Sequence, residues 1–247
     1  MPMTNAMRAR LRSLKGLAMV VALSACAAPV PPATPHDPFE AANRARFERN
    51  LALDGALGGS RADGPDRAEL RRVVRNFGGN LGQPRMVVND LLQIRPAHAF
   101  ENTLRFAINS TIGIGGFFDP AGAMGLHGRR TDFGETLHVW GIGEGPYQVL
   151  PLLGPSTQRD TVGRIVDLAL DPLAWLVTPA EYSGVVIARA GAMAASVVDN
   201  APFLEANVLR SADPYAQARL LYLQNRRHHL GIRTEEDIFD PYDDLFD

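Results

Sequence analysis

Six histidines are the first candidates for chemistry, and their spacing argues against it. His36, His98, His127 and His138 are scattered, and His228 and His229 are adjacent, which points the two rings to different parts of a helix surface. The chain has no His-Glu-x-x-His, and no Gly-x-Ser-x-Gly surrounds a serine, so a zinc-protease helix and an α/β-hydrolase elbow are both disfavoured. Gly141-x-Gly143-x-Gly145 and Gly113-x-Gly115-Gly116 resemble phosphate loops only superficially. The first meets Pro146 where a dinucleotide fingerprint needs its third glycine, and no βαβ unit surrounds either. Asp119 and Asp132 could serve as general acid and base, but spacing alone does not bring them together. Lys15 is the only lysine, which excludes a phosphate-loop or Schiff-base lysine beyond it. Catalysis finds no support, and neither a metal nor a cofactor is expected.

Cys26, the only cysteine, has a more informative setting. Arg8, Arg10, Arg12 and Lys15 precede an uncharged run from Gly16 to Leu23, then small Ser24 and Ala25. That is the order of a secretory signal. The run is too short to span a bilayer, which needs about 20 apolar residues. Leu23-Ser24-Ala25-Cys26 resembles a bacterial lipobox, whose cysteine is acylated and becomes the new N-terminus. An ordinary signal with an incidental cysteine is the alternative. Each buried acyl CH₂ contributes about 0.8 kcal/mol, so several chains on one cysteine would anchor the protein firmly. By resemblance to enterobacterial lipoproteins, Ala27 rather than Asp after the cysteine favours the outer membrane. Beyond residue 25 there are 21 bases against 27 acids, so no basic field is available for nucleic acid.

These features give a signal peptide over 1–25, the acylated cysteine and a Pro-rich tether over 26–36, one domain over 37–231, and an acidic tail over 232–247. Asp-Pro recurs at 37, 119, 171, 213 and 240, and Asp caps with Pro at the first helical position should open several helices. Asp37-Pro38-Phe39-Glu40 also has the spacing of a capping box. Helices are expected near 38–50, 66–79, 84–93, 97–112, 156–169, 180–198 and 214–230, the last stopped by Gly231. Strand signals are scarce. The glycine-dense stretch 133–152 permits a short hairpin or a close-packed loop. The class is mainly α.

Gly184 to Val198 carries one charge in fifteen residues, and Val162 to Ala180 is mostly apolar between its aspartates. Neither is a spanning run. Such segments are either buried core helices or helices that lie in a membrane interface or wall a lipid cavity.

Several ordered blocks are similar to the MlaA/VacJ family of phospholipid-binding outer-membrane lipoproteins. They are Asn80-Leu81-x-x-Pro84, Val88-Asn89 and Leu92-Gln93, then Arg105-Phe106-x-x-Asn109-Ser110-Thr111-Ile112-Gly113 and Gly115-Gly116-Phe117-x-Asp119. Asp132-Phe133-Gly134-x-Thr136-Leu137, Gly141-x-Gly143-x-Gly145-Pro146-Tyr147 and Gly154-Pro155-Ser156-Thr157-x-Arg159-Asp160 continue the match. Asp37-Pro38-Phe39-Glu40 and Ser211-x-Asp213-Pro214-Tyr215 extend it to roughly residues 37–230. The segment between Asn50 and Arg67 departs from the family in being shorter and richer in glycine.

The resemblance implies a ring-shaped helical lipoprotein in the inner leaflet of the outer membrane, on its periplasmic face. It further implies an amphipathic channel that passes mislocalised phospholipid from the outer leaflet to a soluble periplasmic carrier, and association with trimeric porins. On this view Ile112, Gly113, Ile114, Gly115, Gly116, Phe117 and Phe118, with Gly141, Gly143, Gly145, Pro146 and Tyr147, form channel wall and gating loop, or else simply pack the core. A β-branched residue at Gly143 would then strain a backbone that needs positive φ. Arg219, Arg226 and Arg227 are expected to form a basic face that docks the carrier, or to pack their helix on the ring. A porin scaffold without transport and a lipid hydrolase built on His138 or His127 are the alternative functions.

Overall fold

Caps written into the sequence start most of the helices. A computed structural model describes residues 37–56 and 65–232; Cys26, the tether, residues 57–64 and the tail from 233 lie outside the described residues. Helix α1 spans Glu40–Ala56, α2 Pro65–Leu92, α3 Pro96–Thr111, α4 Pro120–Ala123 and α5 Phe133–Val139. Strands β1 (Tyr147–Leu150) and β2 (Gly154–Thr157) pair antiparallel, and α6 (Gln158–Ala169), α7 (Leu173–Leu176), α8 (Pro179–Leu204) and α9 (Pro214–His229) follow. Asp132, Thr157 and Asp213 each accept the backbone N–H of the third helical residue, opening α5, α6 and α9. Thr178 and Glu181 form a full capping box at α8, and Gly231, at φ +71°, follows the end of α9. The fold is mainly helical, and no helix among the described residues is long and apolar enough to cross a membrane.

The structure departs from the sequence expectations at four places. The two helices expected over 66–79 and 84–93 are one, Pro65–Leu92, because α2 runs straight through Pro84; Arg189 of α8 donates to the neighbouring Leu81 carbonyl and stitches the weakened turn. Asp37 does not cap α1. Its buried carboxylate instead accepts Asn43 Nδ2 at 2.8 Å, Arg219 at 2.9 Å and the Tyr215 hydroxyl, tying the start of the domain to α9. Residues 133–139 are helical, and the only paired strands among the described residues lie later, at 147–157, outside the glycine triplet. Helix α8 extends to Leu204 past Pro202 and turns into a π-helical segment, Glu205–Leu209.

The elements close on themselves. Helix α2 packs on α8, α8 leads into the π segment, the π segment packs on α9, and α9 on β2; β2 then meets α6, α6 meets α5, and α5 returns to α2. Two glycines permit the tightest contacts in this ring. A Cβ on Gly78 of α2 would lie 2.5 Å from Ala192 Cβ of α8, and one on Gly163 of α6 would lie 2.3 Å from the backbone of Gly134 in α5. A buried asparagine clamps α1 to the hairpin: Asn43 donates to the Tyr147 carbonyl and accepts from Val149 N–H.

Polarity inside the ring wall is inverted relative to a water-soluble domain. Among the described residues 17 polar or charged side chains are buried against 11 apolar ones, while 27 large apolar side chains are exposed. The interior is held by hydrogen bonds. Asn89 donates to Asp167 at 2.8 Å and accepts from Thr136, Gln93 donates to both Thr131 and Thr136, and Asn102 donates to Asp90. Burial pushes Asp90 and Asp167 above the usual carboxylate range. Glu135 behaves oppositely. Burial would raise it, but His229, Arg95 and Arg129 together hold it at about 2.

That depressed value sets the sign of a pH effect. The charge on Glu135 stabilises the fold above the unfolded carboxylate pKa of about 4.3, and the stabilisation is lost as pH falls towards 2. Glu135→Gln strands Arg95 and Arg129 and should cost about 3 kcal/mol at pH 7. Denaturant unfolding of both proteins in detergent, repeated at descending pH, should show the gap narrowing between about pH 4.5 and 2. A gap independent of pH would contradict the assignment.

Candidate functional site: a cavity inside the helical ring

The closed circuit of elements surrounds a cavity of about 850 Å³, within the range of pockets that hold small organic ligands. Its wall is mostly apolar. Helix α8 and the π segment supply Met193, Val197, Leu204 and Val208, α9 supplies Leu221, and the turn between the strands supplies Leu152 and Leu153. Helix α1 adds Phe47 and Leu51. Polar groups enter from Arg85 on α2, Arg130 and Asp132 ahead of α5, and Tyr222, Asn225, Arg226 and His229 on α9. The arrangement presents an apolar surface with a few fixed charges, suited to an amphiphile.

Arg226 organises the charged side. Its guanidinium spans Asp132, at 2.7 and 2.9 Å, and Asp160, at 2.9 Å to both oxygens. Burial alone would lower its pKa, but these two carboxylates raise it instead. Asp160 is held low although it is buried, chiefly by Arg226, and it also accepts the Tyr222 hydroxyl at 2.7 Å. Asp132 therefore caps α5 and anchors α9 at once. Asp119 is likewise structural: it caps α4 and accepts from Asn109 and Arg105. The two acids are committed to separate helix caps. His127 is exposed and His138 is half-buried, its pKa lowered by burial.

The residues singled out from the sequence fall elsewhere. None of Ile112 to Phe118, and none of Gly141 to Tyr147, lines this cavity. The first group forms a turn on α2. Phe117 stacks on Phe77 with ring centroids 4.8 Å apart, and a Cβ on Gly116 (φ +100°) would strike Asn80. Ile112, Ile114 and Phe118 remain exposed. Tyr147 belongs to the core, packed with Val149, Tyr215 and Leu223, so it cannot be part of a mobile loop face. Positive φ is required at Gly141 and Gly145, whereas Gly143 has no such requirement and open space around a Cβ. Gly143→Val is therefore not a strained substitution.

The arginines expected on a docking face turn inward. Arg219 bonds Asp37, Arg226 bonds Asp132 and Asp160, and Arg227 bonds Glu144 at 2.6 Å. Their partners lie far away in sequence, which is why spacing along α9 misplaced them. The cavity wall itself was legible only as the apolar run 184–198, without its inward direction.

Three bulky apolar residues adopt left-handed backbone: Ile94 (φ +57°), Ile114 (φ +53°) and Leu152 (φ +63°). Their exposures are 87%, 63% and 73%. Such residues are poorly suited both to that conformation and to water.

Comparison with known proteins agrees with this architecture. The family model of the MlaA lipoprotein matches residues 35–229. The intermembrane phospholipid transport system lipoprotein MlaA of Escherichia coli K12 is 35% identical over 159 residues, which cover 62% of this chain and 61% of that protein. An uncharacterised protein of Rickettsia felis is 33% identical over 74% of each chain, and one of Rickettsia bellii is 39% identical over 56% of each. The aligned stretches thus span just over half to three quarters of these relatives. A solved structure reported as the structural basis for maintenance of bacterial outer membrane lipid asymmetry superposes with a TM-score of 0.62 at 30% identity, covering 78% of this chain and 98% of its own. The chain belongs to the MlaA lipoprotein family.

Proposed function

We propose that this protein is an outer-membrane lipoprotein that removes mislocalised phospholipid from the outer leaflet and passes it through the cavity inside its helical ring to a soluble periplasmic carrier. The observation that carries the reading is the cavity: an apolar wall with a charged side, enclosed by elements that return on themselves. A diacyl lipid needs both surfaces along one path. The inverted burial supports residence in a bilayer, where exposed Leu, Ile, Phe and Trp meet acyl chains instead of water. Acylation at Cys26 would supply the second membrane signal, and the protein does no covalent chemistry on the lipid. Trimeric porin is its membrane partner in this reading, and the exposed turn 112–118 is available for that contact or for lipid. The named relative and the solved neighbour point the same way, towards phospholipid transport and lipid asymmetry.

Two expectations follow from the cavity and from the exposed apolar residues. Ala201 on α8 lines the cavity, so Ala201→Trp should fill it. Cells making normal amounts of this variant should accumulate surface phospholipid to the level of a deletion strain, with porin co-purification unchanged. Unchanged surface lipid would remove the cavity from the transport path, and a scaffold role would then remain. Ile94→Asn places a residue that tolerates left-handed backbone at φ +57°. It should leave unfolding stability in detergent equal or higher while weakening association of the purified chain with phospholipid vesicles. Undiminished vesicle binding would show that this tip does not enter the bilayer.

A further inference from the structure

The charged groups on the cavity wall differ sharply in how well they are neutralised. Arg226 is saturated by Asp132 and Asp160, and Glu205 is bound to Arg210 at 2.8 Å. Arg130, by contrast, makes no hydrogen bond or ion pair among the described residues, although its neighbour Arg129 is locked onto Glu135. Arg85 is the second cation on this wall. Its Nε is buried without a hydrogen-bond partner and sits 3.9 Å from Asp167. Both Asp167 oxygens are already taken, one by Asn89 Nδ2 and the other by Phe133 N–H. Asp54 on α1 is the remaining lining carboxylate without a partner among the described residues.

The partnerless Nε of Arg85 is costly to bury unless a ligand completes it, whereas Arg130 is exposed and carries its charge on the cavity wall without a partner among the described residues. Its planar fork matches a phosphate oxygen pair better than any neutral group. We propose that Arg130, assisted by Arg85, forms a subsite for the phosphate of a glycerophospholipid headgroup, with the acyl chains lying along α8 and the π segment. This rests on the transport reading above and adds to it which end of the lipid is recognised, and by which residues. The subsite discriminates phosphate-bearing lipid from neutral lipid of the same tails.

The test uses the purified full chain in detergent and displacement of a fluorescent phospholipid. The competitors are phosphatidylglycerol, diacylglycerol with the same acyl chains, and soluble glycerol 3-phosphate. Phosphatidylglycerol should compete about 10- to 100-fold better than diacylglycerol, the range expected for one charge-assisted contact. Arg130→Gln should erase most of that preference while leaving diacylglycerol binding and the unfolding midpoint unchanged, since Arg130 holds no internal partner. Arg85→Gln should reduce the preference further. Equal competition by the two lipids, or a preference indifferent to Arg130→Gln, overturns the subsite and leaves transport standing. Glycerol 3-phosphate competing as well as phosphatidylglycerol overturns the lipid as the source of the phosphate. Failure of every lipid to compete or bind overturns the transport reading itself.

Discussion

The ring depends on one arginine between two aspartates. Arg226 reaches back from the last helix to Asp132 and Asp160, and through them to the start of α5 and the first turn of α6. The Tyr147, Val149, Tyr215 and Leu223 cluster, the Asp37 tie and the Arg227–Glu144 pair hold the same helix at other points. Two carboxylates this close would repel each other if alone, and a neutral side chain would leave the buried Asp160 without its main counter-charge. The same group that closes the wall therefore fixes the charge pattern on one side of the cavity.

A polar interior accompanies an apolar surface placed on the outside and along the cavity. When exposed Leu, Ile, Phe and Trp outnumber buried apolar residues, the elements must be joined by hydrogen bonds and ion pairs instead of oil-like packing. Amide side chains do this at low electrostatic cost: Asn43, Asn89, Asn102 and Asn109 each bridge elements without carrying charge. Arginine carries the remaining load, in keeping with a chain that has no lysine after residue 15.

How much of this was legible in the sequence depended on range. Asp213-Pro214 and Gly231 bracket α9 as read, because a cap and a stop are local chemistry. The continuity of α2 between residues 79 and 84 is not legible, since part of its support there comes from Arg189, 108 residues from the carbonyl it bonds. The inward turn of Arg219, Arg226 and Arg227 was hidden for the same reason. Glycine identity alone did not reveal that Gly141 and Gly145 need positive φ while Gly143 does not. The apolar run in α8 permitted either core or cavity wall, and it serves as both: Ala195 is buried, whereas Met193 and Val197 line the cavity.

A lipid path through the ring can be examined at two adjacent positions on one helix. Leu221 faces the cavity, whereas its neighbour Leu220 is exposed and does not line it. A photoreactive side chain at each position, activated in living cells, reports what touches that point. Phospholipid captured at 221 and far less at 220 is the result expected if lipid moves through the cavity. Equal capture at both positions, or none at 221, would contradict passage through the ring.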